Sequence, residues 1–123
     1  MGAGPASLTV ARDLMPLGYH CVLFEKDPKG GGLMRTNIPS FRLPATVLDE
    51  EVDRILDFGV EARFGHEIKS LKAILTQGFD AVFIGTSLGG VESLIEHRRS
   101  TDVGGLELGT YLRDDPDLRL VVL

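Results

Sequence analysis

Gly2-Ala3-Gly4-Pro5-Ala6-Ser7 runs directly into Leu8, Val10, Ala11, Leu14 and Leu17, which recur at roughly helical spacing. Proline costs little in the first turn of a helix, where the N–H it lacks would have no intrahelical partner, so Pro5 reads as a helix start. Gly18 reads as the stop, and Pro16 is expected to fray the last turn. His20 to Glu25 follows as a short apolar run ended by charge, which reads as a buried strand. A glycine turn, a helix and a buried strand, in that order, set the frame for the rest.

Downstream, Asp27-Pro28-Lys29-Gly30-Gly31-Gly32 reads as loop, and Leu33 to Leu43, carrying Pro39, is expected to be irregular. Pro44 opens a second helix with Leu48, Val52, Ile55 and Leu56 on one face. Asp49, Glu50, Glu51 and Asp53 fall on or near the other face and read as a solvated helix surface rather than a metal site. Gly59 ends that helix, and Val60 to Phe64 alternates like a strand. Ile68 to Gln77 is expected to be a short helix with Leu71, Ile74 and Leu75 as its apolar stripe. Phe79 to Ile84 reads as a strand, followed by Gly85-Thr86-Ser87 and the Gly89-Gly90 pair. Beyond Gly90 the pattern weakens, with helical readings for Val91–Arg99 and Leu106–Arg113 and an apolar strand over Leu118–Leu123. Strands alternating with helices argue an α/β fold on a parallel sheet with flanking helices.

The spacing Gly2-x-Gly4-x-x-Ser7, with Glu25 ending the next strand 21 residues after Gly4, carries a specific chemistry. Gly2 permits a tight turn, Gly4 lets a pyrophosphate approach the backbone, and Ser7 is a small residue where helix and strand must pack. The helix N-terminus supplies free N–H groups and partial positive charge for phosphates. Glu25 can accept hydrogen bonds from a ribose diol. The plainer alternative is a glycine-rich turn with an incidental surface glutamate. The first reading makes the fold Rossmann-like, with one part missing: the loop should follow a strand, and only Met1 precedes it in this sequence. Either the chain is a piece of a longer one, or something else supplies that strand.

Composition excludes other classes. Thirteen basic against 18 acidic residues give a net charge of −5, and no basic stripe marks a nucleic-acid binder. Fifteen of 123 residues are glycine, well above the usual roughly 7%. No apolar run approaches the roughly 18 residues of a membrane span. The N-terminus enters the glycine motif without a signal peptide, and Ala6 stands where a myristoylation pattern wants Ser or Thr. A cytoplasmic location is the expectation. The single cysteine, Cys21, sits in an apolar run and reads as a small buried hydrophobe. Thr86 and Ser87 have no histidine at a hydrolase spacing, and His20, His66 and His97 are scattered, so no catalytic side chain is assigned.

Gly2-Ala3-Gly4-Pro5-Ala6, Phe24-Glu25-Lys26, Gly31-Gly32, Ile38-Pro39-Ser40-Phe41-Arg42-Leu43-Pro44 and Phe79-Asp80-Ala81-Val82-Phe83-Ile84-Gly85-Thr86 follow one another in order. The chain resembles the FAD-binding half-domain of the glutamate synthase small-chain family and the related flavin module of dihydropyrimidine dehydrogenase. The resemblance covers about residues 1–87, leaving 88–123 as an extension without an assigned role, expected to belong to the same domain. It implies that Gly2, Ala3, Gly4, Pro5 and Ala6, with Ser7 beside them, wrap the FAD pyrophosphate. Glu25 would bind the adenosine ribose with Lys26 alongside. Gly31, Gly32 and Leu33 would pass the phosphate and ribityl region, Arg42 would lie toward the flavin, and Ile68 would offer backbone groups to adenine. Gly85 and Thr86 resemble a loop closing over the cofactor.

The function implied is that of the FAD-binding part of an NAD(P)H-dependent oxidoreductase. NAD(P)H would donate through a domain beyond this sequence, and electrons would leave toward a partner subunit or an iron–sulfur protein. Other classes stay open: a non-catalytic adapter that has lost flavin, or a plain NAD(P) or adenine-nucleotide binder. A homodimer is also compatible with one last feature. Leu118 to Leu123 has as its plainer reading an outer-edge strand or an ordinary later strand of a truncated domain; its sharper reading puts it in the central sheet position ahead of the glycine loop, within one chain or swapped between two.

Overall fold

A computed structural model describes residues 2–85 and 119–122. The elements are α1 (Pro5–Leu14), a 3-10 turn (Met15–Leu17), β1 (His20–Glu25), α2 (Leu33–Asn37), α3 (Ala45–Leu56), β2 (Glu61–Phe64), α4 (Leu71–Leu75), β3 (Ala81–Phe83) and β4 (Arg119–Val122). The helical readings for 91–99 and 106–113 lie outside the described residues.

The four strands form one sheet in the order β2-β1-β4-β3, with every neighbouring pair parallel. His20 stands opposite Arg119 and Leu23 opposite Val122, while Ala81 and Phe83 pair with Leu120 and Val122. The segment 119–122 therefore occupies the central position, not an edge. An open gap between β1 and β3 would leave two rows of backbone N–H and C=O groups unpaired inside the fold, and β4 satisfies both.

Parallel strands bury both faces, and β1 shows why its sequence is continuously apolar. Cys21 and Leu23 join Ala3, Leu8, Ala11, Leu48, Val52 and Val60 in a cluster beneath α1 and α3. Val22 and Phe24 pack on the opposite face with Ile68 and Ile74, flanked by Phe79, Val82 and Ile84. Each fully buried side chain of the Leu or Phe kind contributes about 1.5–3 kcal/mol. This two-sided burial is the main source of stability in the described core.

Helix ends follow their local chemistry. Pro16 falls in the 3-10 turn after α1, and Gly18 closes it at a φ of 90°. The stretch expected to be irregular holds α2: the N–H groups of Arg35 and Thr36 both donate to the carbonyl of Gly32. That turn stops at Ile38, which is extended as a residue before proline must be. The helix expected from Ile68 begins three residues later, because Ser70 holds the N–H of Ala73 through its Oγ at 3.4 Å and acts as the cap. Its expected stripe is half right, since Ile74 is buried and Leu75 is 50% exposed.

Removing residues 118–123 takes out the strand to which both β1 and β3 pair. The expected result is loss of the cooperative thermal transition followed by calorimetry or circular dichroism. A shortened chain melting at the same temperature as the full one would overturn the central placement.

Candidate functional site

Three backbone hydrogen bonds build the site around Ala3. Gly2 N–H donates to the Phe24 carbonyl at 3.2 Å, and Gly31 N–H donates to the Ala3 carbonyl at 2.7 Å. Ala3 N–H itself donates to Oε2 of Glu25 at 2.5 Å. The other Glu25 oxygen, Oε1, accepts from Asp27 N–H at 2.9 Å. Glu25 is buried, 3% exposed, at the end of β1. A carboxylate offers about four acceptor positions, so two backbone donors leave capacity for the paired hydroxyls of a ribose.

Bare backbone surrounds this point. A Cβ on Gly2 would lie 3.5 Å from the Gly85 carbonyl oxygen, and one on Gly4 would lie 4.0 Å from it. Gly32, at a φ of +49°, crosses so close that its Cβ would stand 3.0 Å from the Cα of Gly4. Gly31 would drive a Cβ to 2.9 Å from Cδ2 of Leu48. Larger residues would fill the space or push α3 away. Above this cradle stands the N-terminus of α1, a ten-residue helix whose N-cap Gly4 makes no side-chain capping bond and whose first turn holds no acid. Such an end attracts anions through its exposed N–H groups and its dipole.

The loop bearing the glycine pair is tied to α3 by charge. Asp49 accepts from Lys29 Nζ at 2.7 Å and from the Arg35 guanidinium at 2.5 Å, and Arg35 Nε also donates to the Gly30 carbonyl at 2.8 Å. Hydrogen bonding from Lys29, then from Arg35, holds the Asp49 carboxyl below the usual carboxylate range. The sequence reading placed Asp49 on a solvated surface and missed this role. The available signal was two cations in a glycine loop facing an acid one turn into the next helix. A second stitch was also missed: Gly65 N–H donates to the Asp27 carbonyl at 3.0 Å and His66 N–H to the Glu25 carbonyl at 2.8 Å.

The remaining expected residues scatter around this centre. Pro5 and Ala6 are exposed on the first turn of α1, while Ser7 is fully buried at the helix–strand contact where a small residue was required. Lys26 is exposed beside Glu25, and Leu33 is 59% exposed after the glycine pair. Gly85 closes the cradle; Thr86 lies outside the described residues. Arg42 is exposed, with its guanidinium 5.9 Å from the Phe41 ring centroid, and it forms no ion pair with Glu50 among the described residues. Ile68 buries its side chain in the cluster of Phe24, so its backbone alone is left for a ligand. Burial raises the Cys21 thiol to about 11, which keeps it protonated at neutral pH and unsuited to nucleophilic work. Among the described residues no His, Cys, Asp and Glu side chains gather into a group that could hold a metal ion, and no helix is long and apolar enough to cross a membrane.

A helix N-terminus over bare glycine backbone, with an acid at the end of the adjoining parallel strand, is how a dinucleotide-binding α/β domain is built. The chain belongs to the family described as NAD(P)-binding Rossmann-like domain, which matches residues 1–75. It is 46% identical over 68 residues to the NAD-dependent dihydropyrimidine dehydrogenase subunit PreT of Salmonella typhimurium, covering 55% of this chain and 16% of that protein. It is 35% identical over 119 residues to the NADP(+)-dependent formate dehydrogenase subunit beta of Moorella thermoacetica, covering 93% and 16%. It is 41% identical over 90 residues to the NADPH-Fe(3+) oxidoreductase subunit beta of Geobacter sulfurreducens, covering 68% and 13%. The chain thus spans less than a fifth of each of these relatives, all of them oxidoreductase subunits.

Asp49 supplies a pH test of the loop anchor. Its folded-state pKa is depressed, so its contribution is present above the ordinary value of about 3.9 and is lost as pH falls through the lower folded value. Asp49→Asn is expected to melt below the unaltered chain at neutral pH, with the gap narrowing below about pH 4. Thermal melts of both chains across that range check it.

Proposed function

We propose that the chain is the FAD-binding portion of an NAD(P)H-dependent flavoprotein oxidoreductase. The observation that carries this is the junction of Glu25, Ala3 and the glycine cradle: bare backbone for a pyrophosphate and, one residue away, an acid for a ribose. The α1 N-terminus and the backbone of Gly2 to Ala6 hold the pyrophosphate, with Gly31, Gly32, Leu33 and Gly85 around it. Glu25 orients the adenosine ribose, and Lys26 and the Ile68 backbone flank the adenine side. A 2′-phosphate would meet the Glu25 carboxylate and be repelled, which favours a ribose with a free diol at this site. The resemblance through Gly31-Gly32 and Ile38 to Pro44, with Arg42 and Thr86 expected toward the flavin, is what supports FAD over NAD in this reading.

When bound, FAD supplies acceptance of hydride at its N5 and onward delivery of electrons, chemistry that belongs to the cofactor. The side chains here bind and orient; none is assigned a proton. In this reading the cofactor cradle lies within residues 1–87, and Arg119–Val122 joins the same sheet as β4. Relatives named as oxidoreductase subunits support an electron partner. In the proposed reading that partner is an oxidoreductase subunit or an iron–sulfur protein, NAD(P)H is delivered through a further domain, and the assembly works in the cytoplasm.

Two measurements test the reading. Titrated with FAD, the protein is expected to bind with a flavin absorbance change, and Glu25→Ala is expected to weaken binding by about 1–3 kcal/mol, the loss of a charged hydrogen-bond acceptor. Unchanged FAD affinity in Glu25→Ala overturns the ribose assignment. Assayed alone with NADPH and an artificial acceptor, the chain should turn over negligibly; a rate near an ordinary enzyme's ~10 per second would show that the donor's site is already present.

A further inference from the structure

The register of the sheet connects the two ends of the described chain. Leu23 lies opposite Val122 in the β1–β4 ladder, so the place opposite Glu25 belongs to the residue two beyond Val122 in a continuing strand. In a parallel ladder that residue's N–H donates to the carbonyl of Phe24. The group that makes this bond is the N–H of Gly2, at 3.2 Å. Gly2 therefore stands where β4 would deliver its next residues, and the glycine loop continues the line of a strand drawn from the far end of the sequence. On the other side β4 pairs with β3 through Phe83, two residues before Gly85, whose carbonyl faces Gly2 and Gly4.

From this register we infer that Arg119–Val122 is a positioning segment of the dinucleotide site, its backbone standing in line with the loop and helix of residues 2–14. The inference rests on the function proposed above. No residue of β4 is required to touch the ligand. Its backbone sets the spacing of β1 and β3, hence of Glu25 and Gly85 on either side of the glycine loop. Occupation of the central position and dinucleotide binding are then coupled. A chain whose β4 is out of place has a cradle without fixed walls, and its apparent affinity falls in proportion to the fraction of molecules with the strand in place.

Three versions of the full chain test this with FAD and ADP titrations: the unaltered protein, Val121→Pro, and a rearranged chain in which residues 119–123 are moved to stand directly before Gly2. Proline removes a ladder donor from a central strand. Val121→Pro is expected to lose about tenfold or more in affinity for both ligands, as the competent fraction falls to a tenth or less. The rearranged chain supplies the same strand to the same position and is expected to bind within about threefold of the unaltered one, where the competent fraction is restored. A Val121→Pro chain that keeps the parent affinity overturns the inference. Should Val121→Pro fail to fold, the rearranged chain decides: cooperative melting with binding supports the coupling, and loss of either overturns it. If the unaltered chain binds neither FAD nor ADP, the proposed function fails and this inference with it. If it binds both and Val121→Pro binds equally well, only the coupling fails.

Discussion

Ala3 is the residue through which the site is held together, and it acts almost wholly through its backbone. Its N–H is taken by Glu25 and its carbonyl by Gly31, and the residue has no exposed surface. One bond pins the glycine loop to the end of β1; the other draws the second glycine run across it. Because the side chain is a methyl group, the loop can sit in the cluster of Leu8, Leu48 and Val52 without displacing any of them. Move Ala3 and three separate stretches of sequence lose their common point.

What the sequence announced best were features governed by local chemistry or by burial on both sides. Pro5 and Gly18 bracket the first helix region, and His20 to Glu25 matches β1 residue for residue. Glu25 was legible as a site residue because an acid ending an otherwise apolar strand has few structural reasons to be there. Its bond from Ala3 N–H was not legible, since it depends on how the glycine loop folds back across a sequence separation of 22. The short helix α2 was hidden by Pro39, which ends the turn at Ile38 but does not prevent it from forming upstream. The placement of β4 was visible only as an inference from a gap: a six-residue apolar run carries no address, and the address came from the unpaired edges of its neighbours.

The roles of Arg42 and Ile68 come from resemblance. Arg42 turns to the Phe41 ring, and Ile68 turns its side chain into the core, which leaves its backbone for the role expected of it. The described cradle joins bare glycine backbone, a helix N-terminus and the Glu25 carboxylate, while Thr86, expected toward a flavin ring, lies outside the described residues. In the proposed reading the adenosine half thus rests on geometry and the flavin half on the ordered motif. That difference follows from the physics, since phosphate binding needs only backbone and a helix end, which a short stretch of chain can provide by itself.

A cradle rich in glycine is costly to order, because each glycine gives up more backbone freedom than any other residue, by roughly 0.5–1 kcal/mol relative to alanine. Something must hold Gly30, Gly31 and Gly32 against the loop before any ligand arrives. The ion pairs of Asp49 with Lys29 and Arg35 are partly exposed, and solvent screening leaves pairs of that kind weak. The apolar contacts are larger. Leu48 and Val52 are both buried on the α3 face that meets Gly31 and Gly30, and a Cβ on Gly30 would come within 3.0 Å of Val52 and 3.3 Å of Ala3. At about 1.5–3 kcal/mol for each buried side chain, this packing outweighs the charges as the force that shapes the cradle. Charge sets the register of the loop on α3, and burial holds it there. The absence of side chains at Gly30 and Gly31 is what admits α3 so close to the loop.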